Sequence, residues 1–206
     1  MMSGMAAAPL PALGGHRVIL SLPAAPFDAL VGAGEVLLQE GFRAWSIPSA
    51  RLEELAPLRA VFGRRARIGV HDVHDGQRAA AAAAAGAVFL ASSLVLPDVV
   101  ASSSGVPVIL GGLTPNELRA GMTAGAAAVQ VIPCDAFGSS YARVLPPLLE
   151  ETPVIASGRL EVYQAELWLE AGAAAVWPRG LVTTDLATGT ELDALRRRCQ
   201  EWRLEV

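Results

Sequence analysis

Short apolar runs alternate along the chain with longer stretches in which apolar residues recur every three or four positions. Arg17 to Leu22 is the first run, and Pro26 to Glu40 follows with Phe27, Leu30, Val31, Val36 and Leu37 at helical spacing. Arg43 to Ile47 is then paired with Leu52 to Phe62, and Arg67 to Val70 with the alanine-rich stretch Gly76 to Ala85. Val88 to Leu90 precedes Pro97 to Ser103. Val106 to Leu110 precedes a helix whose opening, Thr114, Pro115 and Glu117, has the order of a capping box. Ala128 to Ile132 leads to Ser139 to Leu149, and Val154 to Ala156 to Val162 to Ala171. Ala174 to Trp177 leads to Thr188 to Arg203.

Strands of three to six residues that alternate with helices predict parallel βαβ units. Gly86, Gly125 and Gly172 each stand between a helix and the next strand, where a left-handed C-cap is expected. The unit is roughly 20 to 25 residues long, a period that solenoids also show. The leucine and asparagine ladder of such a solenoid is absent. The pattern predicts an α/β fold, a single (β/α)8 TIM barrel over residues 16–206. Residues 1–15, small and apolar with Pro and Gly, are expected to form a short arm or helix across one barrel end.

Composition narrows the partners. The 206 residues carry a formal charge of −4, so no basic surface is expected for nucleic acid. The apolar stretch Ala79 to Ala91 is broken by Gly86 and too short to span a bilayer. No membrane partner is expected. Cys134 and Cys199 have no metal or disulfide spacing, which suits a reducing cytoplasm. All 16 basic residues are arginine, and the chain contains no lysine.

In a barrel of this kind chemistry gathers where strands end and the following loops begin. Those positions hold Ser46 after strand two, and His71, Asp72, His74 and Asp75 after strand three. Gly111 follows strand five, and Gln130, Pro133 and Asp135 lie on and after strand six. Ser157, Gly158 and Arg159 follow strand seven, and Arg179 and Gly180 follow strand eight. His71, His74 and Asp135 are a candidate set for a divalent metal. The competing account makes this segment a loop with Asp75 as helix N-cap, with no metal or other cofactor.

Four segments carry a family resemblance. They are "IGVHDVHD" (Ile68 to Asp75), "VPVILGGLTPNEL" (Val106 to Leu118), "AVQVIPCDAFGSS" (Ala128 to Ser140) and "IASGRL" (Ile155 to Leu160). Together they resemble the 2-keto-3-deoxy-6-phosphogluconate / 4-hydroxy-2-oxoglutarate aldolases from about Val18 to Arg203. The spacing of Pro133, Asp135 and Gly138 is the most specific match.

The resemblance implies a trimeric barrel that cleaves 2-oxo acids through a lysine Schiff base. It places Gln130 at that lysine and Ser46 at the glutamate that moves protons. The carboxylate-gripping arginine falls near Ala50, one place from Arg51. Arg159 stands at a glycine of the phosphate loop, and Pro178-Arg179 at a Gly-Gly pair. A glutamine amide cannot form an iminium, and arginine is no substitute for a nucleophilic lysine. Family-type turnover is therefore expected to be absent.

Three functions remain in view. The first is a barrel that binds a small oxo-acid or a phosphorylated ligand. The second is a lyase with altered, metal-assisted chemistry. The third is an assembly protein built on the trimeric barrel. Ser157, Gly158, Arg159, Arg179 and Gly180 are the candidate ligand or phosphate contacts. Arg159 and Arg179 are expected either to bind an anion or to fill its pocket.

Overall fold

The computed structural model describes residues 10–145, 148–149, 152–184 and 189–204. Eight parallel strands, in sheet order β1 to β8, form the barrel. They are β1 (Ile19–Ser21), β2 (Ala44–Pro48), β3 (Arg67–His71), β4 (Leu90–Ser92), β5 (Val108–Gly112), β6 (Ala128–Val131), β7 (Val154–Gly158) and β8 (Ala175–Pro178). A parallel bridge between Val18 and Val176 closes the ring, with the Val176 N–H donating to the Arg17 carbonyl at 2.8 Å. The helices are α1 (Phe27–Gln39), α2 (Leu55–Phe62), α3 (Gly76–Ala84), α4 (Pro97–Ala101), α5 (Pro115–Thr123), α6 (Ser139–Val144), α7 (Val162–Glu170) and α8 (Gly189–Glu201). The expected (β/α)8 barrel is therefore the observed fold.

Local signals explain where several helices begin and end. Thr114 Oγ1 accepts from the Glu117 N–H, and the Glu117 carboxylate returns to the Thr114 N–H at 2.8 Å. Both halves of the predicted capping box are present, and such a cap contributes about 1 kcal/mol. The Asp75 carboxylate accepts from the Arg78 N–H at 2.7 Å and so caps α3. Gly86, Gly125 and Gly172 have φ of 88°, 88° and 102°, the left-handed conformation expected where helix gives way to strand.

Six of the eight strands end one or two residues later than expected, while β1 and β6 each end one residue earlier. β4 and β5 were expected over Val88–Leu90 and Val106–Leu110, and both lie two residues further on. His71, Gly111, Ser157 and Gly158 were expected in loops and are strand residues. Polar and glycine positions break the apolar pattern, yet their backbones continue the ladder, as in Gly111 against Gln130 and Ser157 against Trp177. The expected helix Leu52–Phe62 is split, with a 3-10 segment Ser49–Glu54 leading into α2. The predicted starts of the first arm and of the last helix reach residues 1–9 and Thr188, which lie outside the described residues.

Inside the barrel, alternation sends every second strand residue inward. Adjacent strands are stepped by about one residue, so alternate strands share each level. The lowest level is Ala44, Phe89, Ala128 and Ala175. Ile19, Gly69, Ile109 and Ile155 lie above it, with the Phe89 ring in the space that a Gly69 side chain would need. Beneath them a short 3-10 helix, Pro11–Leu13, brings Leu10, Ala12 and Leu13 into the same apolar cluster. Leu10, Ala12 and Leu13 thus plug this end of the barrel from below.

Candidate functional site

Continuing upward, the next level is Ser46, Ala91, Gln130 and Trp177, followed by Ser21, His71, Gly111 and Ser157 from the odd strands. Arg179, two residues beyond Trp177, stands over them. The interior therefore changes from wholly apolar to mainly polar halfway along the strands. Ser46, His71, Gln130 and Ser157 are all buried.

Three connected contacts organise this mouth. Ser46 Oγ lies 2.9 Å from His71 Nδ1. His71 Nε2 lies 3.6 Å from an Asp72 carboxylate oxygen. Burial drives the His71 pKa down to about 4, against the pull of Asp72, with Arg179 adding a smaller push in the same direction. The imidazole is thus neutral near pH 7, held between a hydroxyl and a carboxylate. Asp72 has a φ of 55°, and its carbonyl accepts from Ser49 Oγ at 2.6 Å. The strained turn carries Asp72 back beside the imidazole.

Arg179 crosses the top of this arrangement. Its Nε donates to Ser157 Oγ at 3.1 Å and its Nη1 to Ser21 Oγ at 3.3 Å. The guanidinium carbon lies 4.6 Å from the centre of the Trp177 ring, and Trp177 Nε1 donates to the same Ser21 hydroxyl at 2.9 Å. Stacking and two hydroxyls fix the plane of the cation. Burial lowers the Arg179 pKa, partly offset by Asp72, but an arginine remains charged at any working pH. Among the described residues no carboxylate lies within ion-pair distance of it.

Gln130 projects inward from β6. Its Nε2 donates to the Ser92 carbonyl at 2.8 Å. Its Oε1 is buried and has no hydrogen-bond partner among the described residues. An acceptor left so costs about 1–3 kcal/mol, so the side chain is not explained by stability alone.

The positions that the family resemblance assigns to a phosphate loop are arranged differently from the mouth. The Arg159 backbone N–H donates to Asp135 Oδ1 at 3.1 Å. A Cβ on Gly158 would meet that carboxylate, so a side chain there would displace Asp135. The Arg159 side chain is exposed and has no partner among the described residues. At the start of α7 the Glu161 N–H is already taken by Gln164 Oε1 at 2.9 Å. Gly180 is exposed at a φ of 88°, and Pro133 is also exposed. Arg51 is committed to Glu53 and Glu54 of its own segment, at 2.8 and 2.6 Å.

The candidate metal set is not assembled. His71 faces Ser46 and Asp72, His74 is exposed, and Asp135 faces the β7 loop. Among the described residues no group of three or more His, Cys, Asp or Glu could hold a metal ion. Both cysteines are buried and unpaired with each other. No described helix is long and apolar enough to cross a membrane.

A cavity of about 340 Å3 opens at the other end of the barrel, lined by His16, Arg17, Glu40, Arg43, Trp202 and Arg203 among others. It lies among the residues that lead into the strands, away from the Ser46–His71–Arg179 cluster. Barrels of this kind place chemistry at the opposite, C-terminal face. The polar mouth is therefore the candidate site for chemistry, and the cavity at the other end is not.

No protein-family model matches the chain. It is 30% identical over 155 residues, 72% of its own length and 75% of the relative, to the 2-dehydro-3-deoxy-6-phosphogalactonate aldolase of Escherichia coli strain K12. A solved 4-hydroxy-2-oxoglutarate / 2-dehydro-3-deoxyphosphogluconate aldolase is 27% identical with a TM-score of 0.75, covering 94% of this chain and 98% of that one. The aldolase of Legionella pneumophila, solved with pyruvate captured as a covalent carbinolamine, is 18% identical with a TM-score of 0.78, over 93% and 96% of the two chains. The relative from Escherichia coli, together with the barrel it predicts, places this chain in the 2-keto-3-deoxy-6-phosphogluconate / 4-hydroxy-2-oxoglutarate aldolase family.

Proposed function

We propose that this barrel holds a small organic acid at its C-terminal mouth and does so without a Schiff base. The observation that carries the proposal is Gln130, an amide at the level where the family resemblance calls for an amine, in a chain without lysine. An iminium needs a primary amine with an accessible neutral form, and it is the electron sink for carbon–carbon cleavage in that chemistry. The bound acid is anchored by Arg179, whose fixed guanidinium offers further donors to a carboxylate. The oxo-acids of the family and their phosphorylated relatives are the first ligands to test.

The Asp135 carboxylate on the Arg159 N–H argues that the anion of interest is carried by Arg179 rather than by the β7 loop. The Ser46–His71 pair supplies a neutral imidazole beside the ligand, and no sequence position had indicated that partner for Ser46. Self-association as a trimer accompanies this reading. Phe137, Val144 and Tyr163 are each more than half exposed around α6 and α7, an apolar surface that a second copy would cover.

Two measurements test it. Incubation with pyruvate and borohydride should add no mass to any internal peptide, and cleavage of 2-keto-3-deoxy-6-phosphogluconate should stay at the no-protein background. An adduct trapped on an internal peptide, or robust cleavage in the presence of chelator, would overturn the proposal. Light scattering should give three times the chain mass, and a monomer at micromolar concentration would remove the trimer.

A further inference from the structure

We propose that the cavity at the end of the barrel opposite the mouth is a second binding site, for a monocarboxylate that carries an apolar body. It is one chamber of about 340 Å3, within the usual range of a small-molecule site. Residues 15–18 ahead of β1, residues 40–43 between α1 and β2, Leu169 of α7 and residues 202–204 after α8 line it together. Solvent reaches it, because Gly15, Gly41, Arg43 and Arg203 are exposed and open space lies beside both glycines. Neither Arg179 nor the Ser46–His71 pair lines it, so the site stands apart from the reading of the mouth.

The charges that line this chamber are unevenly committed. The Glu40 carboxylate accepts from Arg203 Nη2 at 2.6 Å, and Arg196 Nε lies 3.5 Å from its other oxygen. Arg17 Nη2 donates to the Ala173 carbonyl at 3.0 Å. The Arg43 guanidinium has no partner among the described residues. Its charge is felt inside the chamber: burial lowers the His16 pKa, and Arg43 and then Arg67 lower it further. The imidazole is therefore neutral near pH 7, in surroundings that are positive. One uncommitted guanidinium offers a bidentate seat for one carboxylate. The buried Glu40 carboxylate on the same wall opposes a second negative charge, which disfavours a dianion such as phosphate. Val18, Phe42, Leu169, Trp202 and Leu204 supply an apolar wall. A bare ion would leave that wall wet, whereas an apolar body on the acid would cover it.

Isothermal titration of the full chain with phenylacetate, phenylacetamide and acetate separates the charge from the body. Phenylacetamide keeps the shape of phenylacetate without its charge, and acetate keeps the charge without the ring. Phenylacetate should bind more tightly than either by about tenfold or more. Arg43 is exposed, so Arg43→Gln should fold, and it should bring phenylacetate to within about twofold of phenylacetamide. Arg43→Met serves if the glutamine variant does not fold. Absence of phenylacetate binding, or affinity no greater than that of phenylacetamide or of acetate, would overturn the proposal. An advantage of the acid over the amide that survives in the Arg43 variants would overturn it equally. Phenylacetate binding that is lost in Arg179→Gln and indifferent to Arg43→Gln would place the acid at the mouth, overturning this site while favouring the mouth as the acid site.

Discussion

The lower and upper halves of the barrel interior are built by the same eight strands and obey different rules. Below, Ile19, Ala44, Phe89, Ile109, Ala128 and Ile155 fill the space, and Leu10 and Leu13 seal it. Above, Ser46, His71, Gln130 and Ser157 occupy equally buried positions with polar atoms. Burying apolar surface is worth about 25 cal/mol per Å2, whereas a buried polar group nets only about 0.5–1.5 kcal/mol when hydrogen-bonded and costs about 1–3 kcal/mol when left unpaired. The lower half therefore does most to hold the fold, and the upper half adds less. Such an asymmetry along one strand bundle is the physical mark of a site.

The largest expected effect tests the lower half. Phe89 is fully buried, fills the space beside Gly69 and meets the Trp177 ring edge-on at 6.1 Å. Phe89→Ala should cost about 3–5 kcal/mol in chemical denaturation, because the closed barrel cannot collapse around the cavity. Ser157→Ala, removing one hydroxyl from the upper half, should cost about 1 kcal/mol. Comparable losses would erase the distinction between the two halves.

The next effect is a pH dependence confined to the upper half. His71 has a folded pKa of about 4, below its unfolded value of 6.5. Between those values the unfolded chain binds a proton that the folded chain refuses, so stability rises with pH in that window. The contribution is complete above pH 6.5 and is lost as the pH falls toward 4. The slope is at most about 1.4 kcal/mol per pH unit. His71→Asn should flatten the stability profile from pH 6.5 to 4 relative to the unmodified chain. Parallel profiles would mean that the imidazole titrates normally and that the mouth is wet.

The lower half was the more legible of the two in the sequence. Apolar alternation gave the strands, and Gly86, Gly125 and Gly172 marked their approach through a requirement local to each turn. Thr114 and Glu117 signalled their helix because both capping partners lie three residues apart. The upper half depends on contacts that closure alone creates. Ser21 meets Trp177 and Arg179 across 156 and 158 residues, and Ser46 meets His71 across 25. No periodicity encodes such pairs. The polar residues of the mouth also hid their own strand ends, since His71, Gly111 and Ser157 look like loop until the ladder is seen. The family resemblance singled out Gln130 and Ser46 as candidates, while their partners Ser92 and His71 came only with the fold.

The smallest expected effect separates the two anion positions at the upper rim. In the unmodified chain Asp135 occupies the Arg159 N–H, placing a negative charge at the position the family resemblance assigns to a phosphate. Asp135 is exposed, so its removal should change stability little. Asp135→Ala frees that N–H on the residue whose guanidinium is exposed and has no partner among the described residues. Phosphate at about five times its Kd would then contribute about 1 kcal/mol of stability by mass action. For a chain of this size that is a rise in Tm of about 2–4 °C. The unmodified chain should show no such rise. Arg159→Ala added to Asp135→Ala should remove it, because the backbone N–H alone is one neutral donor against the charge of a phosphate. A phosphate shift of the same size with Asp135 in place would mean that the carboxylate yields to the ligand. The phosphorylated acids would then return as ligands of the β7 loop, and Arg179 would no longer be the sole anchor of the mouth.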